Sequence, residues 1–185
     1  MDAALERFLT FGYASTTLDS IAGDAGVSVA TIHKTFGGKP GLVRALAERA
    51  LRGRGPVPAE RRSDALQNAD ADPREVIRGW GKLTAEVSPR IAPILLVLSD
   101  AADADAAASA LLEELDAERL RRMSHNARFL SRNRHLRAGL RHRDAADVLW
   151  FYTSPHVYDL LVRRRGWSIA RYSRFVSESI AAALL

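Results

Sequence analysis

Residues 18–36 read LDSIAGDAGVSVATIHKTF, and the reading of the whole chain turns on them. The spacing predicts two short helices joined by a tight turn. Ile21, Ala22 and Ala25 share one face of the first helix, and Ala22 is small enough to let a second helix cross close by. Gly26 supplies the left-handed residue that ends it. Val27 is expected to plug the corner, and Ser28 to cap the second helix by accepting from its unpaired first-turn amides. Ile32 and Phe36, four apart, bury one face of that helix. Ala30, Thr31, His33, Lys34 and Thr35 remain outward. That face holds no carboxylate, one fixed positive charge and several small polar groups, a composition suited to a DNA groove. The plainer alternative is a glycine-turned corner between two helices with no nucleic-acid role.

The flanks favour DNA. Gly12-Tyr13 and Thr16-Thr17 precede the corner, and Phe36-Gly37-Gly38-Lys39 runs from it into Leu42 and Val43. This ordered set resembles the N-terminal DNA-binding domain of TetR-family transcriptional regulators. Past the first 52 residues or so only length and helical layout match. The resemblance implies that Thr17 and Lys39 hold the DNA backbone and that Thr31 faces the bases. It further implies pairing of the last two helices between two copies, and a small ligand that alters the separation of the two DNA-reading heads. Two features depart from the family pattern. His33 stands where a tyrosine is common, and the basic arm that usually precedes the first helix has no counterpart. The start is therefore expected to be truncated or the backbone affinity low.

The chain has 185 residues, enough for a small domain and a larger one. Hydrophobic residues at 47% and charged residues at 26% are ordinary for a folded soluble protein. The absence of cysteine removes disulfides, thiolate metal sites and cysteine nucleophiles together. The longest apolar run, residues 91–98, is too short to span a membrane, and no basic-then-apolar leader opens the sequence. These features predict a cytoplasmic protein without a membrane partner.

The net charge of +5 gives DNA binding less support than it promises. Residues 1–53 carry six Lys or Arg against five acids, so the expected DNA-reading unit is nearly neutral. Nine arginines and no acid lie between Arg119 and Arg143, just after seven acids and no base between Asp100 and Glu118. Such blocks more often form solvated or mutually paired helix faces than binding surfaces.

The pattern predicts an all-α protein: a three-helix helix-turn-helix head over residues 1–53, completed by a connecting helix, and a larger C-terminal ligand-binding and dimerisation domain over 73–185. The first helix runs from about Asp2 to Phe11, with Ala4, Leu5, Phe8 and Leu9 on one face and Gly12 as its end. Thr16 or Thr17 caps the next helix. The connecting helix starts at Lys39-Pro40 and shows Leu42, Val43, Leu46, Ala47, Ala50 and Leu51 at helical spacing, so it should also dock on the larger domain. Residues 54–72, with glycine and proline at their start and polar residues beyond, read as a flexible connection with a short helix around Ala65. Further helices are predicted over 73–87, 89–100, 106–133, 144–165 and 168–184. Pro155 should bend the fourth of these.

In the last two helices Leu149, Tyr152, Leu160, Tyr172, Val176 and Ile180 are the expected homodimer interface, with Ser173, Ser177 and Ala181 allowing close approach. Trp80, Ile94, Leu98, Met123, Trp150, Phe151 and His156 are the expected lining of a cavity for an unidentified small-molecule effector. Packed core is the plainer reading of both sets. Enzymatic readings find no footing. Gly37-Gly38-Lys39-Pro40 lacks the upstream glycine and following hydroxyl of a phosphate loop. The histidines lack metal-ligand spacing, so no metal or cofactor is expected. The sequence thus predicts a homodimeric, ligand-responsive DNA-binding regulator, more readily a repressor, on a two-half-site operator. A dimeric helical sensor with little DNA affinity is the alternative.

Overall fold

The structure is a computed structural model that describes residues 1–67 and 71–185. The described residues are helical throughout, with turns and no strand. The order is α1 (Asp2–Ser15), α2 (Leu18–Ala25), α3 (Val29–Phe36), α4 (Lys39–Leu51), α5 (Ala59–Ala65), α6 (Pro73–Ala102), α7 (Ala106–Arg132), α8 (His142–Tyr152), the short α9 (Pro155–Tyr158) running into a π-helical turn over Asp159–Arg164, and α10 (Ile169–Leu184).

Two apolar cores lie end to end along α6 and α7. Phe8, Tyr13, Ile21, Ile32, Leu42, Val43 and Leu46 of the first four helices pack against Ile91, Ile94, Leu95 and Leu98 of α6 and Leu111 and Leu115 of α7. The opposite ends of these long helices, with α8 and α10, enclose the second core around Val76, Ile77, Leu130, Leu149, Tyr172, Val176 and Ile180. The head is therefore welded to the body, and α4 docks as its apolar stripe predicts. Leu9 and Leu51, expected on buried faces, lie largely exposed.

Several boundaries differ from the pattern-based reading. Gly12 does break α1, at φ +80, but one further turn runs to Ser15 before Thr16. The predicted helices over 73–87 and 89–100 are a single helix, with Pro89 and Pro93 inside α6. Each proline removes one backbone hydrogen bond, but α6 is clasped by α1, α4, α7, α9 and α10, and that packing outweighs the local penalty. The helix predicted over 144–165 is broken instead. Thr153 ends α8, Ser154 caps the next turn by accepting from the His156 amide, and Pro155 opens α9 rather than bending a continuous helix.

The segment from Gly53 to Gln67 is anchored at many points. Arg62 forms a bidentate pair with Glu86 at 2.6 and 2.9 Å, and Glu86 also accepts from the Arg54 amide. Arg122 donates to Ser63 Oγ and Asp64 at 2.8 and 2.6 Å. The rest of the expected connection, residues 68–70, lies outside the described residues. The Arg62 guanidinium, with help from the Arg54 amide, holds the Glu86 carboxyl at about 2, below its ordinary 4.5. A depressed carboxyl contributes stability that is present above pH 4.5 and fades as pH falls toward 2, and here it is worth roughly 2 kcal/mol at neutral pH. Glu86→Gln is therefore expected to lower the melting temperature at pH 7 and to converge with the parent below pH 4.5. An equal deficit at pH 3 and pH 7, monitored by circular dichroism, would contradict this linkage.

Candidate nucleic-acid interface and interior cavity

The corner is built by capping. Thr17 caps α2 by accepting from the Ser20 amide at 3.1 Å, and Gly26 ends α2 at φ +64. Ser28 caps α3 by accepting from the Thr31 amide at 3.1 Å, and its hydroxyl also lies 2.9 Å from that of Thr31. Arg7 of α1 grips Asp24 of α2 and fixes the two helices together. Ile21, Ala22 and Ile32 fill the interior of the corner. Val27 does not plug it: 43% of its surface is exposed, and its contribution is a backbone bond from its amide to the Ala22 carbonyl at 3.1 Å. Ala25 is also exposed, because α2 is too short for a third inward position.

Ala30, Thr31, His33, Lys34 and Thr35 are all exposed on α3, as are Thr17 and Ser28 at the two caps. Lys39 is placed differently from a free phosphate ligand. Its ammonium donates to the carbonyls of Tyr13 at 3.0 Å and Thr16 at 3.4 Å, and sits 4.1 Å from the centre of the Tyr13 ring. Two of its three donors are committed within the head, which leaves one. The α3–α4 turn needs both its glycines, at φ +75 for Gly37 and +120 for Gly38.

A cavity of about 740 Å³ opens between α6 and α7, within the range of small-molecule sites. Trp80, Leu83, Val87, Ile91, Leu95, Leu115, Met123, Leu149 and Ile180 form most of its apolar wall. Thr84, Ser88, Asn126 and Arg119 add polar groups, and α5 forms part of the rim. The last turn of α4, through Glu48, Leu51 and Arg52, lines it too. Of the expected lining residues, Trp80 and Met123 are there, whereas five are elsewhere. Ile94 and Leu98 belong to the core shared with the head, Trp150 lies under the Arg119 guanidinium, and Phe151 and His156 are exposed.

Arg119, Asn126 and the α4 turn were not expected. Arg119 and Asn126 did carry a signal. They stand on the same helical stripe as Leu115 and Met123, where a polar residue is out of place unless something uses it.

The expected dimer residues divide by burial. Leu149, Tyr172, Val176 and Ile180 are sealed inside the chain's own second core and have no surface left for a partner. Helical periodicity marked an apolar face correctly, but the body of the same chain covers it. Ser173 and Ser177 do serve a close approach, though within the chain, to Gly81 of α6, where an added Cβ would lie 2.1 Å from Ser177 Oγ. What faces outward is a neighbouring row. Phe151, Tyr152, Phe175 and Trp167 meet edge to face at centroid distances of 5.2, 6.0 and 5.4 Å. Phe151 and Leu160 are 58% and 56% exposed.

Among the described residues no helix is long and apolar enough to cross a membrane. The geometry defines a helix-turn-helix head set on a helical body with a ligand-sized cavity. Residues 1–46 match the family model described as bacterial regulatory proteins, tetR family. No curated protein matches the chain. Solved structures that share the fold over nearly all of its length include the SmeT–triclosan complex, 19% identical with a TM-score of 0.75 over 100% of this chain and 88% of that one. The fatty acid degradation regulator FadR from Bacillus halodurans is 17% identical, with a TM-score of 0.75 over 97% and 91%. Native NalD, the secondary repressor of the MexAB-OprM multidrug efflux pump in Pseudomonas aeruginosa, is 20% identical, with a TM-score of 0.75 over 99% and 93%.

Proposed function

We propose that the protein is a ligand-responsive transcriptional repressor that binds a two-half-site operator as a homodimer. The observation that carries this reading is the path from cavity to head. The helix that lines the cavity with its last turn holds the head with its first, through Lys39. A ligand in the cavity touches the element that sets the head's orientation, and so can shift the population of DNA-competent states.

Thr17, Ser28, Ala30, Thr31, His33, Lys34 and Lys39 are the proposed DNA contacts. This set has no Arg, Asn or Gln to make a bidentate base contact, so a single head reads sequence poorly. Two heads spaced one DNA turn apart, roughly 34–36 Å, make the readout usable. With Lys34 and the remaining Lys39 donor serving each half-site, the dimer makes about four cationic contacts and a log–log salt slope near −4. A gel shift with DNA from upstream of its own gene tests the reading. A salt-sensitive shift is expected, and its absence at low ionic strength would favour a sensor with little DNA affinity.

The partner surface proposed for the second copy is the outward row of Phe151, Tyr152, Phe175 and Trp167, extended by Leu160. Phe151→Glu combined with Leu160→Glu is expected to give monomers in sedimentation, to weaken operator binding more than tenfold, and to leave the fold intact. Dimers that persist in this variant would place the interface elsewhere.

A further inference from the structure

We infer that the cavity between α6 and α7 takes an anionic amphiphile, a carboxylate or comparable monoanion on an apolar body, with Arg119 receiving the anion. This rests on the reading of the cavity as the effector site and adds the chemical class of its ligand.

Arg119 is one of two little-exposed charges of the lining, at 17% of its side chain against 19% for Arg122, and Arg122 is already paired with Glu60 and Asp64. Its Nη1 donates to the Trp150 carbonyl at 2.5 Å, and its guanidinium carbon lies 4.3 Å from the centre of the Trp150 ring. Its one acidic partner is Asp116, at 3.2 Å, whose own side chain is partly hydrated. Nε has no acceptor among the described residues. Burial pulls the Arg119 pKa below its ordinary value although Asp116 acts the other way, so the cation is under-compensated where it sits.

Two neutral buried donors, the Tyr172 hydroxyl and Trp80 Nε1, also belong to the second core. The Tyr172 hydroxyl is close enough to feel the Arg119 charge, and burial pushes its pKa to about 12, so it keeps its proton. The Ser88 hydroxyl of the lining lies beside it, and Trp80 Nε1 has no partner among the described residues. The acids of the lining lie at the mouth, and most are already engaged: Glu60 and Asp64 with Arg122, and Glu118 with Arg44. Glu48 is exposed there.

These charges discriminate between ligand classes. A cationic ligand would meet Arg119 with no free carboxylate inside. A wholly apolar ligand would leave Arg119 as under-compensated as before. An anion restores the lost solvation with a charge-assisted bond, and the apolar wall of the cavity takes the rest of the molecule.

The test is calorimetric titration of the full chain with decanoate, decanol and decyltrimethylammonium below their micelle concentrations. Decanoate is expected to bind at least tenfold more tightly than decanol. Arg119→Gln should erase that preference by weakening decanoate, with decanol within twofold of its parent value, and Arg119→Lys should keep most of it. Equal affinities of the parent for decanoate and decanol, tighter binding of the cation, no binding of decanoate, or a preference that survives Arg119→Gln would each overturn the assignment. The parent comparison decides even where a variant folds poorly. The effector reading fails separately: decanoate that binds through Arg119 without changing DNA affinity would leave the ligand class standing and remove its regulatory role.

Discussion

Gly41→Ala is expected to cost the head its structure. A Cβ at position 41 would lie 1.7 Å from the carbonyl oxygen of Phe36 and 2.9 Å from its carbonyl carbon. The obstacle is backbone, the last residue of α3, so no rotamer change relieves it. Either α4 moves away or α3 loses its final turn, and both displace the DNA-facing side chains. Overpacking a rigid site costs typically 1–3 kcal/mol, and a clash this deep with backbone belongs at about 3 kcal/mol or above. Thermal melting should show the loss, and operator binding should fall below detection while the cavity still binds its ligand. A variant that melts like the parent and keeps its DNA affinity would mean that α4 can yield to α3 at little cost.

Replacing the two head lysines should separate two roles that net charge alone confuses. Lys39 ties the end of α1 to the start of α4 through the carbonyls of Tyr13 and Thr16 and the Tyr13 ring, and Lys34 is exposed on α3. Charge-assisted bonds and a cation–π contact at such a site are together worth about 2 kcal/mol. Lys39→Met is therefore expected to lower the melting temperature by roughly 4–8 °C and to weaken binding to every duplex alike. Lys34→Met should leave the melting temperature unchanged and reduce the salt slope by about 2 per dimer. A Lys39→Met variant of unaltered stability would return that residue to a purely phosphate-binding role.

These expectations show which information is local. Thr17, Gly26, Ser28 and Gly37 act on backbone groups within four residues, so capping chemistry makes the corner legible from the sequence. The exposed face of α3 can be read from the positions of Ile32 and Phe36. Long-range packing is not written that way. Pro89 suggested a boundary, and only the helices around α6 explain why it continues.

The same limit governed the sites. Tyr172, Val176 and Ile180 form a correct apolar stripe, but a stripe does not say whether its cover comes from the same chain or from a copy. Trp80 and Met123 reach the cavity because they share the inner faces of α6 and α7. Trp150, one position past the buried Leu149, does not line the cavity and lies against the Arg119 guanidinium instead. Gly41 gave no sequence signal at all, since a helical glycine has no unusual φ to betray the carbonyl pressed against it.

The central claim is that α3 of each head enters a major groove and that two heads act together, set by what fills the cavity behind α4. Hydroxyl-radical footprinting on the upstream DNA measures this most directly. The account predicts two protected patches about one helical turn apart, lost in Gly41→Ala and weakened when decanoate is added. A single patch, protection that persists in Gly41→Ala, or no protection at low salt would contradict it.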